Sequence, residues 1–361
     1  MQCLLGLLND GPVDLPQDGA DFGQAFALAE EEQLLPWVAH ICASRVSDAS
    51  ELFLQLKTIE RDSTIAAFYW TSELTGILHA FEEHGIVIVP LKGPFMAERL
   101  YGKASLRVSH DLDLLVSKQY LICSERVLSE LGFTPDTPDD YHRQWSRGHT
   151  SVELHHDVVN PLAFDFDVER ALQRVQPGTF QGQRCWQLAP LDELVFLCLH
   201  GVRHRFERMS LVLDLCLAFQ KLDLSTPGAA APNVEEYGSL LALGLAMARC
   251  LRPETTEPPF PVASPAQRRH SEALAEKLWH RLMTQPSQTL DWRALHAFYL
   301  EIELPRNRPR RRWRHTQILL GRAIKPDYEF AARFGYSRPW QVRLLRPLRL
   351  IRDAIRRGSS E

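Results

Sequence analysis

The chain has 361 residues, 45% of them hydrophobic and 24% charged, with a formal net charge of −4. This length suffices for two or three domains with a sizeable core, and the net charge provides no overall attraction to nucleic acid or to an anionic membrane. The seven cysteines are scattered and never spaced Cys-x-x-Cys. Their spacing argues against a disulfide framework or a structural zinc site, so we expect reduced, mostly buried thiols.

The N-terminal sequence has no basic leader, and the apolar run from Cys3 to Leu8 is too short for the core of a signal peptide. The longest apolar run, near Leu240 to Ala248, has about half the length of a membrane span. We therefore expect a cytoplasmic protein without a transmembrane segment.

Helical periodicity dominates the first part of the chain. From Phe22 to about Leu78 apolar residues recur at three- and four-residue spacing, with few glycines or prolines. This pattern is typical of amphipathic helices packed on a core. It predicts an N-terminal helical region over residues 1–84.

The pattern changes at Ile86, where a β-branched run predicts a short buried strand. Further strands and helices should then alternate, because apolar stretches are separated by proline, glycine and polar residues. The predicted order is strand Ile86–Leu91, helix Pro94–Leu100, strand Asp111–Val116, helix Lys118–Leu131 and strand Ser151–His156. A polar connection containing aspartate and proline precedes the last strand. Residues 85–190 are therefore predicted to form an α/β or α+β core.

The remainder, residues 191–361, is predicted to be a larger helical domain with a basic tail. Its predicted helices are Asp192–Val202, Met209–Leu222, Leu240–Leu251 and Ser271–Met283, with a linker or surface loop at Ser225–Pro232. Six arginines lie between Arg306 and Arg314, and an amphipathic stretch runs from Trp340 to Arg357. A solvated loop is the simpler interpretation of the arginines, although such a patch also suits nucleic acid or anionic lipid.

Two aspartates in the segment Ser109 to Val116 carry the strongest chemical signal. Side chains alternate along a strand, so Asp111 and Asp113 should share one face while Leu112 and Leu114 point into a core. Like charges held this close repel unless a cation lies between them, and a hard divalent cation such as Mg²⁺ is the usual partner. The pattern therefore predicts metal-dependent phosphate chemistry.

The sequence around this pair strengthens the prediction. Lys92 and Gly93 end the preceding strand at a helix start, where a glycine lets the backbone approach a phosphate closely. Glu153 is a single acid on the following strand, between Val152 and Leu154. Three carboxylates on neighbouring strands could bind two metal ions that act on the attacking and leaving oxygens of a displacement at phosphorus.

Taken together, these pieces resemble the uncharacterised nucleotidyltransferase family of the polymerase-β-like superfamily. The pieces are Leu91-Lys92-Gly93, Tyr101-Gly102, Arg107, Asp111 to Val116, Glu153 to His156, His200-x-x-x-His204, Arg208, Asp214-Leu215 and Arg346 to Leu350. The resemblance implies an α+β fold, in which a small mixed-sheet nucleotidyltransferase core is flanked by N-terminal helices and a larger C-terminal helical domain. It also implies that Asp111, Asp113 and Glu153 bind the metal and that Gly93 belongs to the phosphate-binding turn.

One position departs from the superfamily pattern, in which the turn is usually Gly-Ser or Gly-Gly. Here Gly93 precedes Pro94, which offers neither a hydroxyl nor a backbone N–H. Lys92 is the expected replacement as a cationic phosphate ligand, and Arg107 is a second candidate.

Several polar residues in the predicted helices and strands have two interpretations. His155 should share the face of Glu153 while His156 opposes it, and either could simply form hydrogen bonds. His200 and His204 share a helix face and could bind a metal or a phosphate, and we favour a structural or substrate-orienting role over a zinc site. Asp214 lies in an apolar helix and needs a cationic partner, for which Arg203, Arg205 and Arg208 are the candidates.

The sequence thus predicts a nucleotidyltransferase that uses Mg²⁺ or Mn²⁺ and an NTP, with ATP as the expected donor. Asp111, Asp113 and Glu153 would be the catalytic metal ligands, and the nucleotide would contact Lys92, Gly93, Arg107, His200 and His204. The acceptor could be a small molecule, a peptide or a protein, and a nucleic acid is disfavoured by the net charge. The alternative is a non-catalytic nucleotide- or partner-binding protein that retains the fold.

Overall fold

The structure is a computed structural model that describes residues 6, 8, 19–46, 50–136, 142–158, 166–225 and 234–284. All described residues belong to one compact unit of the chain. The sequence predictions for residues 306–314 and 340–357 lie outside this part. The division at residues 84 and 190 stays a prediction.

Three helices open the described part of the chain. They are α1 (Gly19–Glu31), α2 (Leu35–Ala43) and α3 (Glu51–Glu83). The 33-residue helix α3 begins at Ser50, whose hydroxyl accepts a hydrogen bond from the Phe53 N–H at 3.1 Å. Such a cap satisfies one of the backbone donors left free at a helix start. The C-terminal half of α3 packs on the sheet through Leu74, Ile77 and Phe81.

A five-stranded mixed sheet forms the centre of the core. Its strands are β1 (Ile88–Pro90), β2 (Leu112–Val116), β3 (Thr134–Pro135), β4 (His142–Arg147) and β5 (Thr150–His155), in the order β1-β2-β5-β4-β3. Strands β2 and β5 are paired in parallel, and the other neighbours are antiparallel. The apolar face of β2 and β5 is buried through Leu112, Leu114, Val152 and Leu154.

Short helical segments connect the strands. Between β1 and β2 lie α4 (Gly93–Met96), a π-helical turn over Ala97–Tyr101 and a 3₁₀ turn over Ala104–Leu106. Helix α5 (Leu121–Glu130) follows β2, and the chain then turns at Gly132 with φ of +83°. A glycine favours this left-handed conformation because it has no Cβ.

The second half of the described chain is mainly helical. It consists of α6 (Val168–Gln173), the hairpin of β6 (Gln176–Phe180) and β7 (Gln183–Gln187), and then α7 (Pro190–Arg203), α8 (Met209–Lys221), α9 (Val234–Leu251) and α10 (Pro265–Thr284). None of the helices in the described residues is long and apolar enough to cross a membrane. The predicted α+β class is confirmed, with a small mixed sheet between helical regions.

The structure corrects the prediction for the polar connection before Ser151. Residues His142–Arg147 form strand β4 in that connection, paired antiparallel with β5. The prediction was wrong because β4 has one large apolar residue, Trp145, among polar ones. The hairpin of β6 and β7 was also missed.

Two ion pairs join the helical half to the core, a third lies within the helical half, and all three carboxylates are buried. Arg99 in the π-helical turn binds Glu193 of α7 at 2.7 Å, and Arg107 binds Asp214 of α8 at 2.9 Å. Within the helical half, Arg174 binds Asp192 of α7 at 2.6 Å. Removing one partner would leave a buried, uncompensated charge, which typically costs about 3–5 kcal/mol. The pairs of Arg99 and Arg107 therefore fix α7 and α8 relative to the loop between β1 and β2.

We expect Gly201→Ala to lower the free energy of unfolding by about 1–3 kcal/mol, the usual cost of overpacking. A Cβ at Gly201 in α7 would overlap the ring of Phe206, which is fully buried and held at φ of +49°. The matched control is Gly76→Ala in α3, where a Cβ meets nothing within 4 Å. The control should gain up to about 1 kcal/mol from helix propensity. Urea denaturation of both variants tests this, and equal stability changes would contradict the packing argument.

Candidate active site

The parallel pairing of β2 with β5 brings the predicted acids together. Asp113 is the register partner of Glu153, and Leu115 is the partner of His155. Side chains alternate along each strand, so Asp113, Glu153 and His155 lie on the face opposite the apolar core. The predicted shared face of Glu153 and His155 is confirmed by their contact at 3.2 Å.

His155 is buried between two carboxylates. Its Nε2 lies 3.0 Å from Asp113 Oδ1 and 3.2 Å from Glu153 Oε2, and its Nδ1 lies 3.3 Å from the backbone oxygen of Asp157. All of these oxygens are acceptors, so both ring nitrogens must donate, which describes an imidazolium. Burial by itself would lower the pKa of His155, but its hydrogen bonds to Asp113 and Glu153 outweigh burial and raise it.

Asp113 has a second cationic neighbour. Lys92 Nζ lies 2.9 Å from Asp113 Oδ2, and the carboxylate is 3% exposed. Burial alone would raise the pKa of Asp113, but Lys92 and His155 hold it well below its usual range. Asp113 is therefore ionised and compensated on both of its oxygens.

Asp111 has the opposite environment. Burial and the nearby charge of Asp113 raise the pKa of Asp111 to about 6, and Lys92 offsets only part of this effect. The three acids carry three negative charges when ionised, whereas Lys92 and His155 supply two positive ones. Among these five residues one negative charge is therefore in excess, and burial beside Asp113 makes ionisation of Asp111 the costly one.

These residues fit a divalent metal ion. Asp113, Glu153 and His155 each place one donor atom within 4.8 Å of the other two. No other group of three histidine, cysteine or acidic residues in the described ranges lies this close together. Mg²⁺ and Mn²⁺ prefer carboxylate oxygens. The carboxylates are therefore the expected ligands, and His155 is a hydrogen-bonding neighbour that orients them.

A pocket of about 190 Å³ opens over this cluster. Its walls include Lys92, Gly93, Asp111 and Glu153 from the core, and His200 and His204 from the C-terminal end of α7. Gly93 has φ of +66°, a conformation that glycine adopts without strain. All predicted site residues except the deeper Asp113 therefore line one pocket.

The two histidines of α7 pack against each other. Their ring centroids are 4.7 Å apart, and the ring of His200 stacks on Phe196. Burial, together with the charges of Lys92 and His204, holds the pKa of His200 well below its usual range. His200 thus presents a neutral imidazole to the pocket, able to donate or accept a hydrogen bond.

The partner of Asp214 differs from the three predicted candidates Arg203, Arg205 and Arg208. Arg107 donates to Asp214 at 2.9 and 3.0 Å, and the Tyr101 hydroxyl donates to the same carboxylate at 2.6 Å. The prediction was wrong because it considered only arginines close in sequence. This pairing commits the guanidinium of Arg107 to the fold, while its contact with the nucleotide stays a prediction.

Some residues that line the pocket were not singled out in the sequence. Gln33 and His110 belong to this set, and Arg203 was considered only as a partner of Asp214. Gln33 lies in the turn between α1 and α2, far from any motif, and a helix-to-helix turn gives no chemical signal. Arg203 could have been found, because it lies between His200 and His204 on the end of α7.

Comparison with known proteins adds a family match. Residues 18–252 match the model of a family described as "Uncharacterised nucleotidyltransferase". No curated protein sequence matches this chain significantly.

Three solved structures share partial similarity with the chain. A crystal structure of ANT(2")-Ia in complex with adenylyl-2"-tobramycin has 15% identity and a TM-score of 0.30, over 36% of this chain and 75% of that one. A solution structure of the antibiotic-resistance factor ANT(2'')-Ia has 12% identity and a TM-score of 0.32, over 66% and 98%. An antigenic nucleotidyltransferase-like protein from Paracoccidioides brasiliensis has 17% identity and a TM-score of 0.33, over 53% and 88%.

We expect Asp111→Asn to stabilise the metal-free protein at pH 7 by about 1–3 kcal/mol. The folded-state pKa of Asp111 is raised from 3.8 to about 6, so the folded state binds this proton more tightly than the unfolded chain does. In the wild type, the protonated Asp111 carboxyl stabilises the fold fully below about pH 4, and this stabilisation is lost as the pH rises through about 6. The asparagine of Asp111→Asn has the same shape and cannot ionise, so the variant does not lose stability in this pH range.

Urea denaturation at pH 4, 5, 6 and 7 measures the difference between wild type and Asp111→Asn, which should grow with pH. Asp62→Asn is the control, because Asp62 is exposed on α3. A variant less stable than wild type at pH 7 would show that the Asp111 charge is compensated in the fold.

Proposed function

We propose that this chain, which belongs to the uncharacterised nucleotidyltransferase family, transfers a nucleoside monophosphate from an NTP to an acceptor with the help of Mg²⁺ or Mn²⁺. The observation that carries the proposal is the convergence of Asp111, Glu153, Lys92 and Gly93 on one pocket, with the deeper Asp113 in contact with Lys92 and paired in register with Glu153. We propose ATP as the donor, and a small molecule, peptide or protein as the acceptor.

In this proposal the three carboxylates would hold the metal ion. When bound, the ion would neutralise charge on the triphosphate and polarise its phosphorus–oxygen bonds. His155 donates to Asp113 and Glu153 and so fixes the direction of both carboxylates. Lys92 keeps Asp113 ionised, which a metal ligand requires.

The phosphates of the donor would lie against Lys92 and Gly93. Lys92 is 15% exposed at its side chain, so its charge reaches the pocket while Nζ contacts Asp113. Gly93 places no side chain between the backbone and the ligand. Pro94 provides no N–H, so the lysine charge would supply the attraction that a hydroxyl or amide supplies elsewhere.

Glu153 would act on the acceptor. Its carboxylate is partly exposed to the pocket and could accept the proton of an acceptor hydroxyl. The acceptor oxygen then forms a bond to the α-phosphorus, the bond from that phosphorus to the bridging oxygen breaks, and pyrophosphate leaves. His200, as a neutral imidazole, and His204 would contact the nucleotide or the acceptor from the C-terminal end of α7.

A second candidate function is nucleotide or partner binding without turnover. Asp113 already has two cationic partners in the metal-free fold, which lowers the need for a metal ion there. Pro94 also provides neither a hydroxyl nor a backbone N–H for a phosphate. This candidate predicts nucleotide binding that does not depend on Mg²⁺.

Calorimetric titration with ATP, CTP, GTP and UTP, each with and without Mg²⁺, separates the two candidates. We expect binding of at least one NTP to require Mg²⁺ and to be lost in Asp113→Asn, because the amide is a poor ligand for a hard cation. Asp62→Asn is the control. A labelled-NTP screen against small-molecule, peptide and RNA acceptors follows. Equal affinity with and without Mg²⁺ would reject the transferase proposal.

We expect Glu153→Gln to lower the single-turnover rate by about 100-fold or more, the usual scale for losing a positioned base. Interactions made mainly in the transition state affect turnover more than ground-state affinity. Binding of Mg²⁺ and NTP should therefore stay within a few-fold of wild type. Rapid-quench measurement of nucleotide transfer under single-turnover conditions tests this expectation.

Glu82→Gln is the matched control, because it makes the same chemical change at an exposed position of α3 outside the pocket lining. If Glu153→Gln retains full activity, the third carboxylate lies elsewhere. Asp157, which is buried beside His155, would be the next residue to test.

A further inference from the structure

Two residues that the proposed chemistry does not use reach the same pocket from opposite halves of the chain. Gln33 lies in the turn after α1, and Arg208 immediately precedes α8. Both are partly exposed. In the described part of the chain, neither side chain makes a hydrogen bond or an ion pair.

A buried glutamate holds these two residues together. Glu32 is 1% exposed, and its Oε2 accepts a hydrogen bond from the backbone N–H of Met209 at 2.5 Å. The residues next to this contact are Gln33 on one side and Arg208 on the other. Glu32 therefore fixes two uncommitted donor groups at one part of the pocket.

The backbone of Gln33 is under constraint. Its φ is +58°, a left-handed conformation that a residue with a Cβ adopts at some cost. The N–H groups of Gln33 and Leu34 donate to the oxygens of Glu30 and Ala29, which fixes the turn. Glycine is the usual residue at such a helix end. A glutamine there keeps a carboxamide in the pocket despite this cost.

Lys92 and Arg107, two other cations of the pocket, are each paired with a carboxylate, unlike Arg208. Lys92 is paired with Asp113 and Arg107 with Asp214. Glu207 also lines the pocket, but its carboxylate is engaged by His204 at 3.5 Å. Among the described residues, no carboxylate oxygen lies within 4 Å of the Arg208 guanidinium. Its planar set of donors matches the oxygens of a phosphate or carboxylate group.

We propose that Gln33 and Arg208 form a second oxyanion subsite in this pocket, which binds a phosphoryl or carboxylate group of a substrate. The proposal rests on the proposed function for the identity of the substrates. The bound group could be the terminal phosphates of the NTP. Gln33 and Arg208 would then bind these phosphates together with Lys92 and Gly93. The bound group could instead be an anionic group of the acceptor, which would make the acceptor a phosphorylated or carboxylated molecule.

The first experiment is calorimetric titration of the full-length protein with pyrophosphate alone. We expect Arg208→Gln to weaken binding by about 10- to 100-fold, the range for one charge-assisted hydrogen-bonding group. Gln33→Gly should weaken it by a few-fold while the melting temperature stays level or rises, because glycine relieves the positive φ. Gln181→Gly is the matched control, at a φ of +52° in the exposed turn between β6 and β7, outside the pocket lining.

The second experiment identifies the source of the group, with ATP and AMP titrated in the presence of Mg²⁺. If the subsite holds the terminal phosphates, Arg208→Gln weakens ATP by about tenfold or more and leaves AMP unchanged. If the subsite holds the acceptor, Arg208→Gln leaves the affinities for ATP and AMP unchanged. Pyrophosphate then binds to the ATP-saturated wild type but not to the ATP-saturated Arg208→Gln variant. Either result supports the subsite.

Unchanged pyrophosphate and ATP affinities in both folded variants would overturn the subsite. The same holds if Lys92→Ala abolishes pyrophosphate binding and Arg208→Gln has no effect. Failure of the proposed function has a different signature, since the wild type would then bind no NTP in a manner that requires Mg²⁺ and Asp113. Pyrophosphate binding without a nucleotide can still be measured in that case.

Discussion

The site depends on how the buried charge of Asp113 is compensated. A carboxylate in this position, 3% exposed on a central strand, would otherwise be protonated or would destabilise the sheet. Lys92, two residues after β1, and His155 of β5 bind its two oxygens from either side of β2. The adjacent strands β1, β2 and β5 are therefore linked by charge as well as by backbone hydrogen bonds. The same contacts keep Asp113 ionised and fix the direction of the Asp113 and Glu153 carboxylates.

The helical half completes the pocket through a separate set of buried charges. Arg99 with Glu193 and Arg107 with Asp214 connect the loop between β1 and β2 to α7 and α8. Arg107 also donates to the backbone oxygen of Val108, at the start of the segment that leads to Asp111. The position of Asp111 relative to α7 is therefore set by ion pairs rather than by the sheet alone. Substitutions at Asp214 would be expected to affect the pocket as well as stability.

The sequence allowed prediction of those features that depend on local spacing. Alternation along a strand placed Glu153 and His155 on one face, and the β-branched run at Ile86 predicted β1. Strand β4 was missed because Trp145 is its one large apolar residue, so the period-two signal is weak. The partner of Asp214 and the role of Gln33 depend on contacts between residues far apart in the chain. No local pattern encodes such contacts, and only the folded structure reveals them.

The pairing of Asp113 with Glu153 also bears on how the protein folds. These register partners are forty positions apart in the chain and lie on parallel strands, which require a long connection. Such non-local pairings form slowly, because the entropy of closing the chain is lost before the contacts are gained. The repulsion between Asp113 and Glu153 requires β5 to be paired with β2, whereas the contact of Lys92 with Asp113 requires only the pairing of β1 with β2. Docking of β5 delivers Glu153 and the cationic His155 in a single step, so the strand that adds the last negative charge also carries its counterion.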